Sequence, residues 1–380
     1  MLSTAKEQQV QTRRGLLELS REDLRAWLTQ RNQPKMRIGQ LRRWIVAGRA
    51  DSFDQMTDLP QGLRQELNAE FVPLGTEIAT HHRADDGTHK LLLKLHDGQL
   101  VECVLIQDGP RRTACISTQV GCGMGCVFCA SGLNGVARNL TSAEILEQLI
   151  RLRNLLPAEE RLSNIVVMGM GEPLANLENL IDALEVAGAQ DGLGIGARHV
   201  TISTVGLPAK IRTLAELGKQ YHLAVSLHAP NDELRNRIVP TNTGLMDILT
   251  AVDDFFAGTG RQVTFEYVLL RDVNDGVAQA RELAGLVQGR CAHINLIPFN
   301  DVDGLDYRRP TDQALSAFTE ELKKHNVSVK VRKRKGSAID AACGQLRRRV
   351  AQESGVSDLE LGVRERESGA LTPDPTDSSV

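Results

Sequence analysis

The chain has 380 residues, enough for one large α/β domain with attachments or for two ordinary domains. Hydrophobic residues at 41% and charged residues at 24% are proportions of a water-soluble globular protein, and no apolar run is long enough to span a bilayer. The net charge of −3 hides an uneven spread: from Glu353 onward seven acids oppose two arginines, so the tail carries −5 and the body +2.

The N-terminal stretch MLSTAKEQQVQTRRG lacks a secretory apolar segment, so a cytoplasmic location is expected, with no membrane association. Seven cysteines, an odd count with three of them clustered, argue for metal binding or chemistry rather than a disulfide framework.

In chain order, residues 1–19 are polar and unpatterned and predict a flexible arm. Ser20-x-x-Asp23 resembles an N-cap, followed by Leu24, Trp27 and Leu28 at helical spacing. A second helix is expected over Gly39–Ala47 and a third from Asp58-Leu59-Pro60, so residues 20–75 read as a small helical domain. Asp86-Gly87 and Asp97-Gly98 punctuate three strands, which makes 76–108 a β-meander.

From Cys115 the pattern alternates strands and helices. Strand-like runs occupy Ile165–Met168, Val200–Ser203, Leu223–Leu227, Val263–Leu269 and Ile294–Ile297. Thr141-x-x-Glu144 is a capping box leading into a helix that carries Ile145, Leu149 and Leu152 on one face. Together with a strand near Cys115 these imply six β-α units and a parallel sheet, short of the eight of a full barrel. The barrel-like unit is expected over 109–350, and residues 351–380 read as a disordered acidic tail.

Cys122-Gly-Met-Gly-Cys126-Val-Phe-Cys129 places three thiols on one loop. A four-iron cluster is usually tied by four cysteines, so three would leave one iron open to another ligand. A zinc site is the simpler alternative, but it needs a fourth ligand, and His96 is the only histidine between Lys90 and Arg198. The C-x3-C-x2-C spacing, with Phe128 before its last cysteine, resembles the radical S-adenosylmethionine (SAM) superfamily. Met168-Gly-Met-Gly171-Glu172-Pro173, Ser203, Ser226-Leu227-His228 and Asn300 each follow a strand, at the end where barrel enzymes keep their active sites. The resemblance implies a partial (β/α)6 radical SAM barrel, a [4Fe-4S] cluster on Cys122, Cys126 and Cys129, and SAM contacts from Gly171, Glu172, Ser203, Ser226, Leu227, His228 and Asn300.

Two more segments narrow the match. Cys115-Ile-Ser-Thr-Gln-Val-Gly-Cys122 and Arg334-Lys-Gly-Ser-Ala-Ile-Asp-Ala-Ala-Cys343-Gly-Gln-Leu346 resemble the RlmN/Cfr family of adenine C-methyltransferases, over essentially 20–350. For this family the resemblance implies that Cys343 carries a methyl group as S-methylcysteine. Cys115 then resolves the enzyme–RNA adduct through a transient disulfide with Cys343, which a reducing system must reopen. In Val101-Glu-Cys-Val-Leu-Ile106, alternation puts Glu102 with Val104 and Ile106, and such a carboxylate can take a proton near neutrality. It matches the position of the family's base that removes the adenine proton. Implied partners are 23S rRNA at the peptidyl transferase centre and tRNA at the adenine after the anticodon, with the protein a monomer.

Carbon 2 of adenine is the expected target, because Glu172-Pro173 stands where the carbon-8 enzymes carry alanine; carbon 8 stays open as the alternative. A non-catalytic metal-binding RNA module is the alternative from another class. Arg31, Lys35, Arg37, Arg42, Arg43 and Arg49 in the helical domain, and Lys330, Arg332–Lys335 and Arg347–Arg349 near the end, are expected to contact RNA phosphates.

Overall fold

The computed structural model describes residues 13–133, 135–300 and 305–332. Strand β1 (Arg14–Gly15) leads into a 3-10 turn at Leu16–Glu18, and helices α1 (Arg21–Gln30), α2 (Met36–Arg42) and α3 (Gln61–Glu70) follow. Ser20 caps α1, its Oγ accepting the Asp23 amide at 3.0 Å. Leu24, Leu28, Leu63 and Leu67 turn inward onto Ile45, Phe53 and Met56. Strand β2 (Phe71–Val72) pairs in parallel with β1.

Here the sequence-based boundary needs correcting. Residues 13–19 were expected to belong to a flexible arm, yet β1 is paired and Leu16 is buried at 2% exposure. Leu16, Leu17 and Leu19 supply the apolar anchor, so the helical unit begins before Ser20.

Strands β3 (Glu77–Arg83), β4 (His89–Lys94) and β5 (Leu100–Asp108) form the antiparallel meander. The side chains of Asp86 and Asp97 accept the amides of Thr88 and Gln99 at 3.0 and 3.1 Å, closing the two turns as the dipeptides predict. The meander is no separate sheet. Strand β6 (Arg111–Cys115) pairs antiparallel with β5, making the meander one edge of a ten-stranded sheet.

The short β7 (Gln119–Gly121) and β8 (Val136–Asn139) form a two-stranded ribbon around the cysteine loop. Then come α4 (Ser142–Asn154), β9 (Asn164–Val167), α5 (Leu177–Gly188), β10 (Val200–Thr204), α6 (Pro208–Glu216) and β11 (His222–Ser226). The chain continues through α7 (Asp232–Ile238), α8 (Leu245–Thr259), β12 (Val263–Leu269), α9 (Val277–Val287), β13 (Ala292–Pro298), α10 (Asp312–Lys324) and β14 (Val329–Val331). The sheet order is β14-β13-β12-β11-β10-β9-β6-β5-β4-β3. All pairings from β6 to β14 are parallel, so the six expected β-α units are followed by a seventh parallel strand.

Alternation gives the sheet two unlike faces. Ile165, Ile202, Val225, Phe265 and Ile294 are buried in the core with the helices' apolar residues. The intervening residues, among them Cys115, Ser203, Ser226, Glu266 and Asn295, share the opposite, more polar face; the last three are neighbours in register across β11, β12 and β13. That face lines the partial barrel. Among the described residues, no helix is long and apolar enough to cross a membrane.

Candidate active site

The cysteine loop is fastened at both ends and its middle. The Cys122 amide donates to the Gly135 carbonyl at 2.7 Å, the Val127 amide to Ile238 at 3.1 Å, and the Cys129 amide to Cys126 at 3.0 Å. The thiols of Cys122, Cys126 and Cys129 are half-buried. Backbone amides of Met124 and Gly171 point at the Cys122 sulfur. Burial pushes the Cys122 thiol up to about 12 and Cys126 higher, and the neighbouring thiols add to both shifts.

Thiols this reluctant to ionise alone need a positive centre to draw them out as thiolates. Three soft donors on one glycine-rich loop, with amides aimed at sulfur, fit an iron–sulfur cluster. Among the described residues, no three Cys, His, Asp or Glu side chains form a ready single-ion site.

Gly171 and Glu172 stand against this loop. Gly171 has a φ of +102°, and a Cβ there would come within 2.7–2.8 Å of Gln119. The Glu172 carboxylate is 2% exposed and accepts the amides of Leu174 at 3.0 Å and Val205 at 2.7 Å. It therefore ties the loop after β9 to the end of β10. Burial drives its carboxyl above the usual range, against the pull of those amides.

His228 follows β11 in a left-handed conformation, φ +60°. The Phe128 ring meets it edge-on with centroids 4.8 Å apart, so the aromatic before Cys129 touches the end of β11. The Val268 amide donates to Nδ1 at 3.1 Å, and burial lowers the imidazole to about 3. The ring is thus neutral, with its proton on Nε2. Ser226 ends the same strand and Leu227 follows it. Ser203 lies on the polar face of β10, and Asn300 follows β13.

Cys115 closes β6, buried, in register with Val104 on one side and Val166 on the other. Lys90, Val104 and Cys115 form one row across β4, β5 and β6, and Glu102 sits two residues along the same face. The purely apolar surroundings expected for Glu102 need correcting. Its carboxylate lies 3.0 Å from the Lys90 ammonium, at 3% and 0% side-chain exposure. Ser117 connects this strand to the loop after β9: its hydroxyl donates to the Glu102 carbonyl at 2.6 Å and accepts the Met170 amide at 2.9 Å. Cys343 lies outside the described residues.

The structure thus brings Cys122, Gly171, Glu172, Phe128 and His228 together at the C-terminal ends of the parallel strands, with Cys115 and Glu102 on the adjoining polar face. Sequence reasoning missed Lys90 and the buried Arg235. Lys90 was marked only as a lysine directly before the apolar run 91–93.

The helical domain's cations are more committed than their clustering implied. Arg31 pairs with Glu66 at 2.8 Å and covers the Trp27 ring at 3.8 Å, and Arg43 pairs with Asp58 at 3.0 Å. Arg49 donates to the carbonyls of Leu156, Pro157 and Glu160, docking the helical domain on the barrel.

A partial barrel of β-α units whose open end carries a three-cysteine loop defines a radical SAM protein. Residues 116–284 match the Radical SAM superfamily, and residues 15–72 match the ribosomal RNA large subunit methyltransferase N-terminal domain. The chain is 54% identical to a protein of Rhodopirellula baltica named probable dual-specificity RNA methyltransferase RlmN, over 88% of this chain and 90% of that one. A Bacillus subtilis protein of the same name is 42% identical over 87% and 92%. The crystal structure of a radical SAM methyltransferase from Sphaerobacter thermophilus superposes with a TM-score of 0.83 at 39% identity, covering 87% of this chain and 98% of that one. The chain belongs to the RlmN family of dual-specificity RNA methyltransferases.

Proposed function

We propose that the protein methylates carbon 2 of adenine in 23S rRNA, at the peptidyl transferase centre, and in tRNA, at the adenine 3′ of the anticodon. The observation that carries this reading is the apposition of the cysteine loop to Gly171 and to His228, with Cys115 on the same polar face. Cys122, Cys126 and Cys129 would hold a [4Fe-4S] cluster that, when bound, supplies the electron for cleaving SAM to a 5′-deoxyadenosyl radical. Gly171, Glu172, Ser203, Ser226, Leu227, His228 and Asn300 bind and orient SAM around that loop.

Carbon 2 of adenine is electron-poor, so ordinary methyl transfer to a nucleophile cannot reach it. Cys343 brings the carbon to the base as an S-methyl group. That carbon gives up a hydrogen atom to the 5′-deoxyadenosyl radical and bonds to carbon 2. Glu102 accepts the proton that carbon 2 gives up, and the electron lent for SAM cleavage is returned. The Cys115 thiolate then attacks the Cys343 sulfur: the carbon–sulfur bond breaks with its electron pair on the transferred carbon, which takes up a proton to complete the methyl group, a disulfide forms, and methylated RNA leaves. A cytoplasmic thiol reductant restores both cysteines. Lys90 holds Glu102 in place on the face where the base must lie.

Anaerobic reconstitution tests the class of chemistry. The reading expects a brown protein that releases 5′-deoxyadenosine from SAM on reduction. A colourless zinc protein without turnover would instead identify a metal-binding RNA module.

A further inference from the structure

Arg235, on α7, is the largest fully buried side chain of the described residues that the chemistry above does not use. Its guanidinium is 0% exposed. It donates to the carbonyls of Leu227 at 2.6 Å and Ser226 at 3.0 Å, to the carbonyl of Val205, and to Asn242 Oδ1 at 2.8 Å. Every one of these acceptors is neutral. Asp232 acts on it through space, and no carboxylate among the described residues bonds it directly.

An unneutralised buried cation is costly, and a neutral amide could serve several of the same carbonyls more cheaply. The charge has a local use. Helix α7 touches the cysteine loop through the hydrogen bond from Val127 to Ile238, and Arg235 and Cys126 feel one another electrostatically. Burial lowers the guanidinium to about 10, so it stays protonated at neutral pH. The same group holds the carbonyls of Ser226 and Leu227, where SAM is proposed to sit.

We propose that Arg235 sets the reduction potential of the cluster: a permanent positive charge beside the cysteine loop stabilises the extra electron. This rests on the assignment of the cluster to Cys122, Cys126 and Cys129. A single buried charge on the helix that touches the loop is worth on the order of tenfold in an equilibrium. For a one-electron couple tenfold corresponds to about 59 mV.

The test is a redox titration of the full, anaerobically reconstituted chain, followed by the electron paramagnetic resonance signal of the reduced cluster. Arg235→Gln is expected to lower the reduced-to-oxidised ratio at a set potential about tenfold, with Arg235→Lys recovering most of the loss. Asp232→Asn, which keeps the oxygen that accepts the Asn242 and Leu245 donors, removes an opposing charge and should shift the ratio the other way. An Arg235→Gln protein with wild-type iron content and an unmoved potential overturns the proposal. Where Arg235→Gln fails to retain iron, Asp232→Asn decides, and an unmoved potential there overturns it equally. A wild-type protein without an iron–sulfur signal would instead contradict the cluster assignment itself.

Discussion

Replacing Lys90 with methionine removes one half of a buried ion pair while keeping the length and the apolar stem of the side chain. Lys90 and Glu102 are 3.0 Å apart and shielded from water, at 0% and 3% exposure. Such a pair adds little net stability over a well-packed neutral pair, but removing one partner leaves the other buried charge without its counterpart at 3.0 Å, at a cost of about 3–5 kcal/mol. Lys90→Met and Glu102→Gln should therefore each destabilise the fold by several kcal/mol, and the double variant by much less than their sum. Urea denaturation of the four proteins, monitored by circular dichroism, gives the coupling directly. Coupling above about 2 kcal/mol supports the pair as an electrostatic unit. Additivity within about 0.5 kcal/mol would refute the reasoning, because partners that do not need one another behave that way.

Gly171→Ala should destabilise the loop by about 1–3 kcal/mol and lower iron content, because its φ of +102° and its contact with Gln119 admit no side chain. Iron quantitation after reconstitution checks this, and a wild-type yield would oppose it. His228 is held near 3 when folded, against an ordinary value of 6.5. Between those values the unfolded chain binds more protons, so this contribution is complete above about 6.5 and declines as pH falls towards 3. His228→Asn should flatten the dependence of unfolding free energy on pH across that window, and an unchanged slope would argue against a buried neutral ring. Cys115→Ala should accumulate a covalent protein–RNA adduct that denaturing gels resolve; free release of methylated RNA would remove Cys115 from its proposed role.

Much of the fold was legible because its signals are local. Thr141 and Glu144 do form the capping box, with bonds of 3.2 and 2.9 Å, and five strands fall within a residue or two of their apolar runs. The cysteine loop, Glu172 and His228 were legible from motif spacing. What escaped depends on partners remote in sequence. The packing of Leu16 rests on elements that a short window cannot show, and so does the pairing of Arg31 with Glu66 and of Arg43 with Asp58. Glu102 looked apolar in its surroundings because Lys90 lies on the neighbouring strand, brought across by antiparallel register. Arg235 stands in an ordinary polar helix, and only the convergence of three strand-end carbonyls on it reveals a buried charge.

The central claim is most directly tested by the product. RNA lacking the modification, incubated anaerobically with reconstituted protein, SAM and a reductant, is digested to nucleosides and examined by mass spectrometry against synthetic standards. The predicted result is 2-methyladenosine in both 23S rRNA and tRNA, lost in Cys343→Ala. Exclusive 8-methyladenosine, or methylation that persists without Cys343, would contradict it.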